Sequence, residues 1–348
     1  MPDKLKCLML GAGGMAGHYI RGLFPAFADR LEVVGLVDVS EEPLEASGDF
    51  LGLPASARFT DMTEAFAKVE ADFCIICIPP AFHKQAVLLA TERKLDVLSE
   101  KPIADTWEGC TAIYRAARAS GVKFQVVQNY RYNATMLTMK QVLSEGSLGR
   151  INYLIGRFAA DYRVRGAWGA FRHEIAHSLL IEGSVHHFDM LRHLSGSNCQ
   201  QITGWEWNPA WSSFDGESSG HYLAKMVSGV VANYEGNCNE AGVQNNWHQE
   251  YYRAECEHGS VVIDSDHVLR VWERKQGSVH MHEVPLLQPQ YQGHQAIIDQ
   301  FLNWKCGGPA PVTVIEDNIQ SAGMLFGAIE ASRTSMAVDV QALVTGIG

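Results

Sequence analysis

Short apolar runs alternate with helical patterns through the first third of the chain. Runs that suit buried strands lie at residues 5–10, 31–39, 71–80, 95–102 and 122–130. Helical patterns separate the later runs, at residues 81–94 and 106–121. Because strands that alternate with helices pair in parallel, the pattern predicts a parallel sheet that binds ligands at the carboxyl ends of its strands.

From about residue 151 the pattern changes to strand-like runs, and some of them alternate apolar with polar residues. These runs lie at residues 151–162, 200–208, 219–227, 229–237, 251–259, 260–267 and 268–275. Ser228-Gly229 lies between two runs and suits a hairpin turn, which predicts an antiparallel sheet with one packed face. A helix around residues 136–146 is predicted to link the two halves. Helices at about 294–305 and 315–334 close the chain.

Composition and charge exclude several classes of protein. The 348 residues are 47% hydrophobic and 19% charged, which is typical of a soluble globular protein with two domains. The formal net charge of −11 argues against binding to nucleic acid or to an anionic membrane. No apolar run approaches the roughly 18 to 20 residues that span a bilayer. The N-terminal apolar stretch is too short for a signal peptide, so we expect a cytoplasmic protein whose eight cysteines are reduced.

A glycine-rich loop follows the first apolar run. Its sequence from Gly11 to Gly17 fits G-x-G-x-x-[GA], in which Gly11 permits a tight turn and Gly13 lets the backbone approach a pyrophosphate. The second run ends at Asp38, where an acidic side chain accepts hydrogen bonds from the adenosine ribose and repels the extra phosphate of NADP. The combination predicts an NAD site. A Rossmann-like fold without a cofactor is the alternative.

The ends of the next two predicted strands carry Pro79-Pro80 and Glu100-Lys101-Pro102. Lys101 has two interpretations. It is either an exposed lysine at a turn, or a cation beside a nicotinamide that lowers the pKa of a neighbouring hydroxyl. The glycine loop, Asp38 and both proline segments fall at the same predicted edge of the sheet, and this convergence indicates a ligand site there more strongly than any one motif does.

A histidine-rich stretch covers residues 171–193. His173-Glu174-Ile175-Ala176-His177 fits the zinc-protease pattern H-E-x-x-H. The extended pattern needs glycine at position 180 and histidine at position 183, where the chain has Leu180 and Gly183. With a nucleotide-binding half upstream, the sequence argues against a zinc protease, and we predict no metal site.

A second run contains Glu182 and His186, four residues apart and therefore on one face of a predicted helix. A histidine aligned by a carboxylate suits general acid–base chemistry, and a buried structural histidine is the alternative. Before this helix, Arg163, Arg165 and Arg172 lie in a predicted loop. They either clamp an anionic or hydroxyl-rich substrate or belong to a solvated surface.

These motifs together resemble the glucose–fructose oxidoreductase/inositol dehydrogenase (Gfo/Idh/MocA) family. The matching segments are LGAGGMAG, CIPPAFH, SEKPIA, NYRYN and EGSVHHFDMLRHLSG. The resemblance implies an N-terminal NAD-binding Rossmann domain (residues 1–127) and a C-terminal α/β domain (residues 128–348). The second domain would bind substrate and would have a large, mainly antiparallel open sheet, through which the chain forms a homodimer or homotetramer.

The family also implies reversible hydride transfer between a sugar or cyclitol carbon and NAD(P). Lys101 would polarise the substrate hydroxyl and His186 would take its proton, while Glu182 stands where many members carry aspartate. Arg163, Glu182 and His186 are the predicted substrate contacts. The predicted cofactor contacts, with NAD favoured over NADP, are Gly11, Gly13, Gly14, Met15, Asp38, Pro79, His83, Glu100 and Lys101.

Three functions remain open at this point. The first is an NAD-dependent dehydrogenase of a sugar, cyclitol or related polyol. The second is a glycosidase that uses bound NAD for a transient oxidation, and the third is a non-catalytic NAD-binding regulator. The presence of both Lys101 and His186 argues against the third.

Overall fold

The computed structural model describes residues 4–242 and 244–347. Its chain divides into two compact units, of which the first comprises Met1–Gln128 and His294–Ile319 and the second Asn129–Gly293 and Gln320–Gly348. The predicted domains, 1–127 and 128–348, place residues 294–319 in the second domain, whereas the packing of the chain places them in the first unit. Within the described ranges, no helix is long and apolar enough to cross a membrane.

The first unit is built on a six-stranded sheet in which every pair of neighbours is parallel, in the order β3-β2-β1-β4-β5-β6. Its strands are β1 Leu5–Leu10, β2 Leu31–Val37, β3 Arg58–Phe59, β4 Phe73–Ile76, β5 Asp96–Ser99 and β6 Phe124–Val126. The central strands β1, β4 and β5 are buried over most of their length. They therefore appear in the sequence as continuous apolar runs, as is typical of parallel sheets covered on both faces.

Helices connect these strands. They are α1 Gly14–His18, α2 Glu41–Leu51, α3 Met62–Lys68, α4 His83–Glu92 and α5 Trp107–Ser120. A π-helical turn, Tyr19–Leu23, and a 3₁₀ turn, Phe24–Phe27, follow α1 without a break. The predicted parallel α/β unit is therefore confirmed.

The second unit is built on a nine-stranded sheet in the order β14-β13-β12-β11-β7-β10-β9-β8-β15. Its strands are β7 Ile151–Ala159, β8 Cys199–Trp207, β9 Ser219–Met226, β10 Val231–Asn237, β11 Tyr251–Cys256, β12 Gly259–Ile263, β13 Leu269–Lys275, β14 Ser278–Val284 and β15 Val338–Asp339. All neighbours are antiparallel except β7 and β10. The mainly antiparallel sheet is confirmed, and β9 shows the reason, since buried and exposed residues alternate along it.

The remaining helices are α6 Ala134–Ser144, α7 Ala170–Glu174, α8 Val185–Ser195, α9 Gly293–Lys305, α10 Ile315–Thr334 and α11 Val340–Thr345. The predicted hairpin at Ser228-Gly229 joins β9 to β10, and Gly229 adopts the positive φ that such a turn requires. Strand β14 has no counterpart among the predicted strands. Its sequence alternates polar with apolar residues from Ser278 to His282, but both sets of side chains are exposed in the structure, so no packed face marks the strand.

A buried ion pair joins the segment before α6 to α8. The guanidinium of Arg131 donates two hydrogen bonds, of 2.7 and 2.6 Å, to the carboxylate of Asp189. Ser321 on α10 donates a third to the same carboxylate, at 2.6 Å. Burial by itself raises the pKa of Asp189, but Arg131 and Arg192 outweigh this effect and hold the pKa below its usual value. Asp189 therefore stays ionised in the interior of the unit.

Replacing Asp189 by asparagine leaves the buried Arg131 without its counter-charge, and we expect a loss of about 3–5 kcal/mol in stability. The matched control is Asp161→Asn, which breaks the more exposed pair with Arg163 and should cost at most about 1 kcal/mol. Thermal unfolding followed by circular dichroism measures both. Equally small changes in the midpoint of unfolding would contradict the buried pair's role.

Candidate functional site

The glycine loop at the carboxyl end of β1 approaches the neighbouring strand closely. Gly11 has φ +103°, and its N–H donates to the carbonyl of Val37 at 2.7 Å. A Cβ at Gly11 would overlap the carbonyl oxygen of Cys77 and would lie 2.9 Å from the Cβ of Ala16. By contrast, Gly14 also has positive φ (+50°), but a Cβ there would have open space. Only glycine fits at position 11, as the dinucleotide-binding pattern requires.

Asp38 lies just after β2 and contacts this loop. Its Oδ2 accepts hydrogen bonds from the backbone N–H of Ala12 at 2.8 Å and of Gly13 at 3.4 Å. Its Oδ1 accepts from the N–H of Ser40 at 2.9 Å. The carboxylate is therefore fixed beside the glycine loop at the edge of the sheet. A tight loop with an acidic side chain next to it fits a dinucleotide cofactor, because these groups suit its pyrophosphate and its ribose hydroxyls.

Met15 and Pro79 are exposed near the same edge, since Met15 begins α1 after the loop and Pro79 follows β4. Glu100, in contrast, is buried directly after β5. Its Oε1 accepts from the hydroxyl of Tyr19 at 2.9 Å and lies 3.5 Å from Nε2 of His294. Its Oε2 accepts from the backbone N–H of Lys101 at 3.3 Å. The Glu100 carboxylate thus fixes the backbone that carries Lys101.

The protonation state of this group follows from its surroundings. Burial by itself raises the pKa of Glu100, but His294, Lys101 and the Tyr19 hydroxyl outweigh it and hold the pKa below its usual value. Burial raises the pKa of Tyr19 well above its usual value, so the phenol stays protonated and donates. Tyr19 and His294 were not among the predicted site residues, since neither lies in a recognised motif.

His83 contacts the backbone of the Glu100-Lys101-Pro102 turn. Its Nδ1 lies 3.0 Å from the carbonyl of Pro102, its Nε2 lies 2.9 Å from the carbonyl of Ile78, and its side chain is 0% exposed. Burial lowers the pKa of His83. A ring without exposed surface does not touch a cofactor in this conformation, so the structure gives His83 a role in shaping the turn. Its predicted contact with the cofactor has no structural support.

In the second unit, His186 lies on the first turn of α8 and is largely buried. Its ring stacks on Tyr130, with centroids 4.5 Å apart and planes 10° from parallel. The Tyr130 hydroxyl donates to Oε1 of Glu250 at 2.9 Å, which holds the tyrosine in place. The plane of the His186 imidazole is therefore set by an aromatic neighbour that lies in the NYRYN motif.

Glu182 does not follow the α-helical spacing that the sequence predicted. It lies in a π-helical turn, Leu179–Ser184, in which hydrogen bonds join residues five apart. The side chain is buried, and its Oε2 accepts from Nε of Arg172 at 2.8 Å. The guanidinium of Arg172 also lies over the ring of Phe171, 4.5 Å from its centroid. The carboxylate at position 182 thus has an arginine counter-ion that the spacing argument did not include.

The other two loop arginines also have acidic partners. Arg163 donates from Nε to Oδ1 of Asp161 at 2.7 Å, and the pKa of Asp161 falls to about 2 as a result. Arg165 donates to Oδ2 of Asp215 at 2.9 Å. The predicted contact of Arg163 with substrate stays a prediction. In the structure the guanidinium is already paired with Asp161.

The H-E-x-x-H segment does not form one helical face. His173 and Glu174 end the short helix α7, and His177 lies beyond it with φ +54°, outside the helical region. The Nδ1 of His173 contacts the hydroxyl of Ser213 at 3.0 Å. Since a zinc protease needs both histidines on one helix, the argument against that class is confirmed.

Comparison with known families agrees with this geometry. The model of the oxidoreductase family with an NAD-binding Rossmann fold, GFO/IDH/MocA, matches residues 5–128. The model of the GFO/IDH/MocA C-terminal domain matches residues 136–262. Together they cover more than half of the chain, so the chain belongs to this family. The predicted family, fold class and nicotinamide dinucleotide cofactor are confirmed.

Individual relatives span nearly the whole chain. A protein of unassigned function, y4oX from Sinorhizobium fredii, is 37% identical over 97% of this chain and 96% of its own length. Inositol 2-dehydrogenase 1 from Paenarthrobacter aurescens is 24% identical over 98% of this chain and 97% of its own. The structure of the WlbA dehydrogenase from Bordetella pertussis, in complex with NADH and UDP-GlcNAcA, superposes with a TM-score of 0.81. It is 20% identical and covers 97% of this chain and 99% of that one.

The contrast between Gly11 and Gly14 yields a matched test. Gly11→Ala should lose NAD binding and lower the unfolding midpoint by several degrees, because its Cβ has no space. Gly14→Ala should lower the free energy of unfolding only by the cost of an alanine at positive φ, about 1–2 kcal/mol. Isothermal titration with NAD and thermal unfolding measure both effects. If Gly11→Ala bound NAD as tightly as the unmodified protein, the close approach would not matter for binding.

Proposed function

We propose that this protein is an NAD-dependent dehydrogenase that oxidises a hydroxyl-bearing carbon of a sugar, cyclitol or related polyol. The observation that carries the proposal is the turn Glu100-Lys101-Pro102, which follows β5 of an NAD-binding Rossmann domain and whose buried carboxylate is fixed by Tyr19. The relative named inositol 2-dehydrogenase supports the substrate class. Cytoplasmic location and a homo-oligomer through the second unit's sheet stay predictions.

Oxidation of a secondary alcohol removes a proton from the hydroxyl oxygen, while a hydride leaves the carbon that bears this oxygen. The nicotinamide, when bound, supplies the hydride acceptor. We assign proton removal to His186, whose ring plane is fixed by Tyr130. We assign binding and polarisation of the hydroxyl oxygen to Lys101, whose backbone is fixed by Glu100. One base and one cation suffice for this reaction, and the proton transfer needs no metal.

Glu182 and Arg163 are proposed substrate contacts. The ion pair of Glu182 with Arg172 keeps a carboxylate and a guanidinium together, and both groups form hydrogen bonds with sugar hydroxyls. Arg163 contributes a second guanidinium from its pair with Asp161. The proposed cofactor contacts are Gly11, Gly13, Gly14, Met15, Asp38, Pro79, Glu100 and Lys101, with His83 supporting the turn.

A panel of sugars, uronates and inositols tests the proposal, with NADH formation followed by absorbance in the presence of a chelator. We expect NADH from at least one alcohol of the panel. Aryl glycosides in the same panel test the NAD-assisted glycosidase, which would release sugar without net NADH. Tight NAD binding without turnover of any compound would favour the non-catalytic regulator.

With the substrate from that panel, Lys101→Ala and His186→Ala should each lower kcat at least about a hundredfold, because each removes a group positioned for proton transfer or polarisation. NAD binding should persist in both. Lys68→Ala and His280→Ala are matched controls on exposed surfaces and should keep normal rates. Near-normal turnover in the first two variants would reject the assigned roles.

Asp38→Ala should weaken NAD binding and improve tolerance of NADP, because the carboxylate no longer binds the ribose hydroxyls or repels the additional phosphate. The ratio of kcat/KM for the two cofactors measures this preference. Glu41→Ala, an exposed carboxylate in the first turn of α2, is the control. An unchanged ratio in Asp38→Ala would remove Asp38 from the cofactor site.

A further inference from the structure

A second group of polar side chains lies in the second unit, and none of its residues is assigned to the reaction. His177, Glu206 and Glu217, which we call the His177 cluster, each offer one metal-ligating atom, and the three atoms lie within 4.8 Å of one another. They come from three separate segments, which are the turn after α7, the end of β8 and the loop before β9. The geometry points to a binding site for a divalent transition-metal ion, with Zn²⁺ as the best match.

The backbone holds these segments together independently of the side chains. His177 adopts φ +54°, and its N–H donates to Oε2 of Glu217 at 3.1 Å. The carbonyl of Glu217 accepts from the N–H of Leu179 at 3.1 Å. A Cβ at Gly216 would overlap the carbonyl oxygen of Ile175, so glycine is what lets the two segments approach this closely. The imidazole is thereby turned towards the carboxylates by fixed main chain.

The side chains converge on one point. Nδ1 of His177 lies 2.6 Å from Oε1 of Glu206 and 3.3 Å from Oε2 of Glu217. The backbone N–H of Glu206 donates to the hydroxyl of Ser332 at 3.0 Å, which fixes the strand end. One imidazole and two carboxylates are a ligand set that zinc accepts, at about 2.0–2.2 Å for each bond. Two ligands of one tetrahedral ion lie roughly 3.4 Å apart by that geometry, so binding would replace the short hydrogen bond and open it by less than 1 Å.

An independent observation favours a cation over a simple ion pair. The Glu206 side chain is only 3% exposed, and its second oxygen, Oε2, is buried without a hydrogen-bond partner among the residues that the structure describes. A buried carboxylate oxygen without a partner carries a desolvation cost, which an ion pair through Oε1 leaves unanswered. A divalent ion bound by both oxygens of Glu206 would remove that cost. His177 and Glu217 are about one-third exposed, at 35% and 36%, which leaves a path for the ion and for a water ligand.

The site's position indicates a structural role. His177 lies two residues before the π-helical turn Leu179–Ser184, and the carbonyl of His177 accepts from the N–H of Ile181 at 2.9 Å. A metal at the cluster would link the start of this turn, which carries Glu182, to β8 and to the loop before β9. This inference does not rest on the proposed dehydrogenase activity, because none of its ligands is assigned to the reaction.

The test is zinc binding to the full chain after dialysis against chelator. Isothermal titration with ZnCl₂ should show one site that depends on the cluster, and Zn²⁺ should raise the unfolding midpoint. Glu206→Gln and His177→Ala should each weaken this site at least about tenfold, a loss at the lower end of what disturbing a metal site costs. Titration with Co²⁺ adds a spectroscopic readout, since its visible ligand-field bands report the loss of an imidazole in His177→Ala.

Glu174→Gln is the matched control, because Glu174 belongs to the same H-E-x-x-H segment but pairs with Arg165 outside the cluster. It should bind zinc like the unmodified protein. Glu217→Gln, at a partly exposed position, tests the same site if Glu206→Gln fails to fold. Equal zinc affinity and equal Co²⁺ spectra in all variants, or no zinc binding by the unmodified chain, would overturn the inference. Loss of oxidoreductase activity in the panel would leave this result unaffected.

Discussion

A carboxylate buried at the end of a parallel strand must be hydrogen-bonded, and this requirement organises the first unit around Glu100. Tyr19 satisfies one oxygen, the backbone N–H of Lys101 satisfies the other, and His294 lies beside the first. These partners come from a π-helical turn, the strand end and a segment nearly two hundred residues later in the chain. His294 begins the segment His294–Ile319, which packs with the first unit and is also joined to it by the ion pairs of Arg30 with Asp299 and of Lys305 with Asp96. The turn that carries Lys101 is thereby fixed before any ligand binds.

In the second unit too, a buried carboxylate is held by charged and hydrogen-bonding partners. Arg131 and Asp189 neutralise each other in the interior, and Tyr130, next to Arg131, stacks on His186. The NYRYN segment therefore does two things at once, since one residue anchors α8 and its neighbour orients the ring at the start of that helix. Preorganisation of this kind lowers the entropic cost of aligning the base that we propose.

Much of this fold could be predicted from the sequence, because its signals are local. Continuous apolar runs mark β1, β4 and β5, and a glycine at position 11 is required by a close approach to Cys77 that only glycine permits. The signals fail where partners are distant or spacing is irregular. The π-helical turn displaced Glu182 from the face expected for it, and Arg172 became its partner. The contacts of His294 and of the His177 cluster are long-range, and no motif records them. Strand β14 is exposed on both faces, so its short alternation is not accompanied by a packed face.

The central claim is that this protein transfers a hydride from an alcohol carbon to the nicotinamide. Sugars and inositols that carry deuterium on their carbinol carbons, incubated with NAD and the protein, test it directly. Mass spectrometry of the cofactor should show accumulating NADH that is one mass unit heavier, with the label on the nicotinamide ring. A cofactor pool that stays oxidised, or NADH that forms without the label, would contradict the account.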